Sequence, residues 1–417
     1  MKILHVVQGY PPATGGTEEA FGHLSEHLVR QFGDEVSVFT TNCYGGDAFN
    51  RFGLPLMKAG TTKINNVEVR RFKLMRWVSW LFKGPQYMTY KMKCQCSQYL
   101  RTLYQGPVIA GLGQAIRRSD ADLVVASSFP LLHMYTALKA AKKAAKPVIL
   151  VGGLHPEDAW SFDRPMIAEA LKAADACIAY TGYEAGQILK MGVAQENIYT
   201  IGLGVDLQTN NPETQVNIRD RLGLNDGPVV GYIGQISAHK GVDLLIKSMQ
   251  LVWVQRPETQ LLIAGARRPF AEKVEELIAG LPDWQKNNIV IHYDFPDEEK
   301  ASLYQALDVF VYPSRYESFG IAFLEAWNAH KPVIGLKVGA IPWVVEDEMD
   351  GLLVDGDDIE GLANAINRLI EDPELAHKLA ENGNLKVTSQ YTWSAIASQF
   401  HAVYEEVIKQ KRGAWRA

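Results

Sequence analysis

Short, wholly apolar runs alternate with amphipathic helical stretches along almost all of this chain, in two successive series. In the first half, residues 2–7, 35–40, 123–126, 147–151 and 176–179 read as strands, with helical patterns at 17–31, 131–144, 165–173 and 184–191. The second half restarts the rhythm with strands at 229–233, 260–264, 289–292, 309–312 and 333–336. A strand that is apolar on both faces must be covered on both, and helix-length connections suit a parallel sheet. Two such series imply an α/β fold of two Rossmann-like β/α/β domains facing a central cleft. A length of 417 residues suits two domains, each able to bury its own core. The break is expected in the polar, proline-containing stretch 208–214, giving domains at 1–208 and 209–390. Residues 391–417 then form a helix and a basic tail. There Trp393, Ile396, Phe400, Val403, Tyr404 and Val407 recur at helical spacing, so the helix is expected to pack this stripe back on the first domain.

Charge excludes one class and singles out one segment. With 42 Lys+Arg against 47 Asp+Glu the chain carries −5, which argues against a dedicated nucleic-acid binder. Cys43, Cys94, Cys96 and Cys177 are too scattered for a disulfide scaffold and lack zinc-ligand spacing, so no metal site is expected. The apolar run at 2–7 is too short for a signal-peptide core. The stretch 123–138, broken by Ser127, Ser128 and Pro130, falls short of a bilayer span. A cytoplasmic protein is expected. Residues 70–119, however, hold ten basic residues and no acidic one, leaving −15 on the other 367. Phe72, Trp77, Trp80, Phe82, Tyr87, Tyr90, Tyr99 and Tyr104 lie in the same stretch. If 72–83 form one helix, Lys73, Arg76, Ser79 and Lys83 make a narrow polar stripe on a mainly apolar surface. Such a helix suits an anionic membrane surface; an insertion folded over its own domain is the plainer alternative. Lys409, Lys411, Arg412, Trp415 and Arg416 repeat the theme at the C-terminus.

The richest chemistry lies between Asp308 and Glu325. A strand ends at Tyr312, Pro313 breaks it, a loop carries Glu317, and a helix is expected to start near 318–320. Ser318 suits its N-cap, and Gly320 lets another group approach the backbone. The N–H groups and positive dipole of that helix end suit a phosphate. Glu325, about a turn and a half on, is placed to accept hydrogen bonds from ribose hydroxyls, and Glu317 lies on the side of a transferred group. A second strand–turn–helix at 231–243 supplies Gln235, Lys240 and Gly241, with Lys240 as a point charge at another anion-friendly end. In the first half, Gly15-Gly16 follows the first strand. Glu18 and Glu19 there would repel phosphate, so the Gly16 amide is the expected contact. His155, in Gly152-Gly153-Leu154-His155-Pro156, stands at the carboxyl end of a buried strand, which favours a functional role.

Together these stretches resemble a family-4 glycosyltransferase of the GT-B type. Its E-x7-E motif is matched from Glu317 to Glu325, with Pro313-Ser314-Arg315-Tyr316 before it and Ser318-Phe319-Gly320 within it. The likeness continues through Lys331-Pro332-Val333, Val338-Gly339-Ala340-Ile341-Pro342 and Asp350-Gly351, and back to Gly204-Val205-Asp206 and Gly15-Gly16. It implies a retaining transferase that moves a sugar from a nucleotide-diphosphate sugar, UDP-, GDP- or ADP-linked, to a hydroxyl acceptor, with no cofactor and no bound metal. The implied catalytic set is Glu317 beside the donor sugar, Lys240 and His155. Glu325 would hold the ribose, and the Phe319 and Gly320 amides would seat the sugar or diphosphate. His155 would contact the sugar's 6-position or orient the acceptor, because the departing phosphate oxygen can itself take the acceptor proton. The family usually has Arg where this chain has Gln235, so one charge on the diphosphate is missing, and Arg267 or Arg268 could stand in. Trp343, where the family often has an acidic residue, is expected as a packed loop aromatic. With the basic aromatic segment on the acceptor side, the expected acceptor is lipid-linked or a glycan, in cell-envelope or exopolysaccharide assembly. The enzyme would then be peripheral on the inner face of the membrane. Two alternatives are a catalytically weak sugar-nucleotide-binding partner subunit, motivated by Gln235, and a transferase acting on a soluble small molecule.

Overall fold

The structure, a computed structural model, describes residues 1–207 and 218–414. The expected break at 208–214, together with Trp415 and Arg416, lies outside the described residues. Two compact units are present: Met1–Leu203 together with Trp393–Ala417, and Gly204–Thr392.

In the first unit, β1 (Lys2–Val6), β2 (Glu35–Thr41), β3 (Gly60–Ile64), β4 (Val67–Phe72), β5 (Leu123–Ser127), β6 (Val148–Val151), β7 (Ala176–Ala179) and β8 (Ile198–Thr200) form one sheet. Its order is β3-β4-β2-β1-β5-β6-β7-β8, parallel except for the β3–β4 hairpin. In the second, β9 (Val229–Ile233), β10 (Gln260–Gly265), β11 (Ile289–Tyr293), β12 (Val309–Tyr312), β13 (Val333–Leu336) and β14 (Leu352–Val354) are all parallel, in the order β11-β10-β9-β12-β13-β14. Each sheet is doubly wound about its first strand, as the alternation predicts. Residues 123–126 and 148–151 have no measurable exposure, so helices do cover both faces there.

The C-terminal helix Trp393–Ala414 lies on the helix Gly16–Phe32 of the first unit. Every residue of the expected stripe from Trp393 to Val407 is buried. The Trp393 ring stacks on His23 at 5.2 Å, and Tyr404 meets His5 edge-on at 6.1 Å. Burial pushes the His5 imidazole down to about 3, so it stays neutral beside Ser25 Oγ, 2.8 Å away. Polar ties close the rim: His401 to Asp34 at 2.9 Å, Lys411 to Asp175 at 2.7 Å and Arg412 to Asp122 at 2.8 Å.

The single helix expected over 72–83 is not found. Phe72 ends β4, Leu74 bridges to Ile109, and two short helices follow, Arg76–Leu81 and Lys83–Lys91. Pro85 explains the break: it has no N–H for the Leu81 carbonyl, and its ring would collide there, whereas the first turn of a new helix accepts it. Ser79 is buried rather than part of an exposed polar stripe.

Phe400, only 2% exposed, is buried between the C-terminal helix and the rest of the first unit. Phe400→Ala is expected to lower unfolding free energy by about 3–5 kcal/mol in urea denaturation. A loss below about 1 kcal/mol would mean the seam is not packed as described.

Candidate active site

In the second unit, β9 lies between β10 and β12, and the chain leaves it in one direction and returns on the other side. Loops after β9 and β12 therefore diverge at the carboxyl ends, the place where doubly wound sheets hold ligands. The first loop ends in a tight turn, Ala238–Lys240, then Gly241 at φ 73°, then the helix Val242–Gln255. The second runs from Pro313 to Gly320 and opens the helix Ile321–Asn328. A Cβ on Gly241 would overlap the Pro313 carbonyl, so only glycine lets these loops meet. Polar bonds fasten the contact. The Arg315 N–H donates to the His239 carbonyl at 2.7 Å, its guanidinium to the Ala238 carbonyl at 2.8 Å, and two of its nitrogens reach the Asp243 carboxylate at 3.1 and 3.2 Å. His239 and Tyr316 stack at 4.6 Å.

That arrangement brings Lys240 against Glu317 in an ion pair whose side chains are only 15% and 10% exposed. Lys240 Nζ also sits 5.1 Å over the Tyr312 ring, which stacks on Tyr232. Burial, with the nearby Glu317 charge, holds the Tyr312 phenol far above its usual range and therefore neutral. Glu325 accepts from Tyr304 Oη at 2.8 Å and pairs with Lys300, contacts that fix its carboxylate.

The helix Ile321–Asn328 has no acidic residue in its first turn and no side-chain cap. Its N-cap is Gly320, at φ 93° and ψ 52°, and not the expected Ser318. The left-handed backbone explains this, because glycine adopts it without strain and a serine does not. Phe319 is buried, its ring edge-on to Tyr391 at 5.6 Å. Gln235 is exposed, and its carbonyl accepts from Tyr232 Oη at 2.7 Å. Arg267 pairs with Glu275 at 3.1 Å, so its charge is already matched on the helix Phe270–Ala279. Trp343 is 59% exposed, which overturns the packed-aromatic expectation: the short helix Ile341–Val344 turns it outward.

Gly16 and His155 belong to the first unit. Gly16 is exposed at the first position of its helix. Glu18 turns back into the preceding loop, where Gln8 Nε2 donates to it at 3.2 Å and burial raises its carboxyl pKa. Gly9 and Gly15 make room, since a Cβ on either would run into that carboxylate. His155 is half-buried, edge-on to Phe162 at 5.6 Å.

A residue missed by the sequence reading fixes the His155 loop. Glu184 is fully buried, and its Oε1 accepts the N–H groups of Gly153 and Leu154 at 2.6 and 2.7 Å. Its Oε2 accepts the Tyr180 N–H at 2.7 Å. Thr181-x-x-Glu184 is a capping-box pattern that could have revealed it. Thr181 Oγ1 does accept the Glu184 N–H at 3.3 Å, but the carboxylate reaches across to the loop after β6.

Gly241→Ala is expected to destabilise the protein by about 2 kcal/mol or more, through strain and overlap together. An unchanged denaturation midpoint would refute the loop contact. Glu184 gives a pH test. Burial raises its pKa from 4.5 to about 7, so its stabilising contribution is complete below 4.5 and is lost as pH rises through 7. Glu184→Gln removes that slope, moving the stability difference by about 3 kcal/mol in favour of the variant across the window. Parallel stability profiles for the two proteins from pH 4 to 8 would contradict it.

Residues 214–386 match the family described as glycosyl transferases group 1, and residues 14–209 match glycosyltransferase family 4. The D-inositol 3-phosphate glycosyltransferase of Xylanimonas cellulosilytica is 29% identical over 297 residues, 68% of this chain and 67% of that protein. The alpha-D-kanosaminyltransferase of Streptomyces kanamyceticus is 30% identical over 223 residues, 52% of this chain and 56% of that protein. The chain thus spans 56–67% of the length of these curated relatives. Among solved structures, Anabaena HepE in complex with UDP and glucose superposes with a TM-score of 0.72 at 20% identity, over 97% of this chain and 99% of that one. Sucrose-phosphate synthase from Thermosynechococcus elongatus gives 0.72 at 22% identity, over 98% and 100%. With both halves matched in order and the fold shared end to end, the chain belongs to the family-4 glycosyltransferases of the GT-B fold.

Proposed function

We propose that this chain transfers a glycosyl group from a nucleotide-diphosphate sugar to a hydroxyl acceptor, with retained anomeric configuration and no metal ion. The observation that carries the reading is the Lys240–Glu317 pair at the point where the loops of β9 and β12 diverge, beside an uncapped helix end. A diphosphate there meets the Lys240 ammonium and the N–H groups of Phe319 and Gly320, which stabilise charge as it develops on the leaving oxygen. The bond from the anomeric carbon to that oxygen breaks, its electron pair staying on phosphate. The acceptor hydroxyl bonds to the carbon from the same face and passes its proton to the phosphate oxygen. Glu317 lies beside the sugar, where a carboxylate steadies the positive charge of the anomeric carbon. Glu325, held by Tyr304 and Lys300, receives the ribose hydroxyls, and His155 orients the acceptor or the sugar's 6-position. Structures of the similarly folded Anabaena HepE hold UDP and UDP-glucose, which supports a donor of this class.

The acceptor we favour is lipid-linked or a glycan, reached by a cytoplasmic enzyme resting on the inner face of the membrane. A soluble small-molecule acceptor is the second reading, because the matched relatives include proteins named for inositol 3-phosphate. The test is incubation with UDP-, GDP- and ADP-sugars and measurement of nucleoside diphosphate release. Glu317→Gln and Lys240→Ala are each expected to lower kcat about 100- to 1,000-fold. Wild-type rates from both variants would reject these roles, and inverted product anomers by NMR would reject retention. Donor binding without turnover on any acceptor would instead identify a partner subunit, in keeping with Gln235 and with an Arg267 already matched by Glu275.

A further inference from the structure

Three helices of the first unit, Arg76–Leu81, Lys83–Lys91 and Ser97–Gln105, pack together inside out. Their inward side chains are polar: Ser79, Gln86, Ser97, Arg101 and Thr102 are all buried. Arg101 donates to the carbonyls of Trp160 and Asp163 and lies 4.8 Å from the Tyr90 ring, so the inner face is already occupied. Large apolar side chains stand outward among lysines. Trp77, Trp80 and Leu81, at i, i+3 and i+4 on one helix face, are 56%, 53% and 54% exposed. Tyr87 and Met88 on the next helix, and Met92 just past its end, are exposed as well. Helices surrounded by water show the opposite pattern, and a contiguous apolar patch on a surface marks a binding face.

Charge identifies the occupant. Lys83, Lys91 and Lys93 are exposed among these aromatic groups, and Lys91 Nζ sits 5.5 Å over the Tyr87 ring. With no acidic residue between 70 and 119, the segment itself contributes only positive charge to the patch. Tryptophan and tyrosine beside lysine is the chemistry of the headgroup layer: rings enter the acyl boundary and ammonium groups meet lipid phosphates. Among the described residues no helix is long and apolar enough to cross a membrane, so the contact is one of lying on the surface. We infer that the face built from residues 76–93 docks on a bilayer rich in anionic lipid. The inference supplies the partner for the membrane-held acceptor in the proposed function, but the contact itself stands on this surface.

The experiment is co-sedimentation of the whole protein with phosphatidylglycerol–phosphatidylcholine vesicles, against phosphatidylcholine alone, across a salt series. Wild-type protein is expected to bind the anionic vesicles at low salt and to release as salt rises. Lys83→Glu with Lys91→Glu is expected to weaken that binding by about fivefold or more per residue. Trp77→Ser with Trp80→Ser removes exposed rings only and is expected to lower binding at every salt concentration. Nucleoside diphosphate release onto water or a soluble acceptor should be unchanged in both double variants. Vesicle binding that survives in Glu317→Gln separates this surface from the donor chemistry. Absence of sedimentation with anionic vesicles, or equal binding by wild type and both variants, would overturn the inference. So would a dimer that the tryptophan variant dissolves, if neither protein binds vesicles, since a second copy would then be the occupant.

Discussion

Residue 241 has room for a hydrogen and nothing larger, and the geometry of the second unit's site follows from that. The Pro313 carbonyl fills the space a Cβ would need, so the loops leaving β9 and β12 share a wall. Lys240 immediately precedes the contact and Glu317 lies four residues beyond Pro313, so locking the loops sets the ammonium and carboxylate side by side. Adjacent parallel strands bring two loops near one another. They do not by themselves fix which side chains meet. Arg315 completes the fastening with an N–H and a guanidinium that bond only backbone and the carboxylates of Asp243 and Asp357.

Loops at strand ends expose N–H groups that require acceptors, and the two units meet that requirement differently. In the first, the chain supplies its own acceptor oxygens. Glu184 takes three N–H groups around the His155 loop, and Glu18 fills the turn between β1 and its helix. In the second, the helix opening at Ile321 keeps an acid-free first turn with no side-chain cap. This contrast separates that helix end from the one at Gly16, which carries Glu18 and Glu19, and on the proposed reading it leaves room for an external anion.

The fold was legible because its central strands are apolar on both faces, a pattern with few solutions. The edge escaped the reading. β3 is polar and mostly exposed, and its hairpin to β4 turns on Asn65 and Asn66, both at positive φ. Two asparagines between alternating residues are a hairpin signal of the tight two-residue kind, outweighed here by the run of parallel strands around it. At the candidate site, the strand–proline–loop–glycine–helix context of the second unit was readable in the sequence, but the partners of its residues were not. Nothing linear ties Lys300 to Glu325 or Glu184 to Gly153, because those contacts are made by loops that meet only after the sheets form. The helix cap failed for a local reason: serine is the common choice by propensity, and backbone handedness at 320 overrode it. The single helix supposed over 72–83 is likewise absent, because Phe72 ends β4 and Pro85 requires a new helix after Leu81.

Cation placement limits how the second unit can receive a diphosphate. Arg267 is matched by Glu275, and Arg315 is committed to Asp243 and Asp357, so neither moves without breaking a fastening. Lys240 differs, since its partner Glu317 is itself a proposed reaction residue. On the proposed reading, an arriving phosphate draws Lys240 across, and the same displacement leaves Glu317 to the sugar. The ion pair holds both groups as a neutral unit, which lowers the cost of keeping two charges half-buried. A carboxylate at 317 is therefore required twice, once to hold the lysine in place and once beside the anomeric carbon. Gln235 fits the same scheme. With no charge of its own it cannot compete with Lys240 for Glu317, so the pair stays intact until the donor itself separates it.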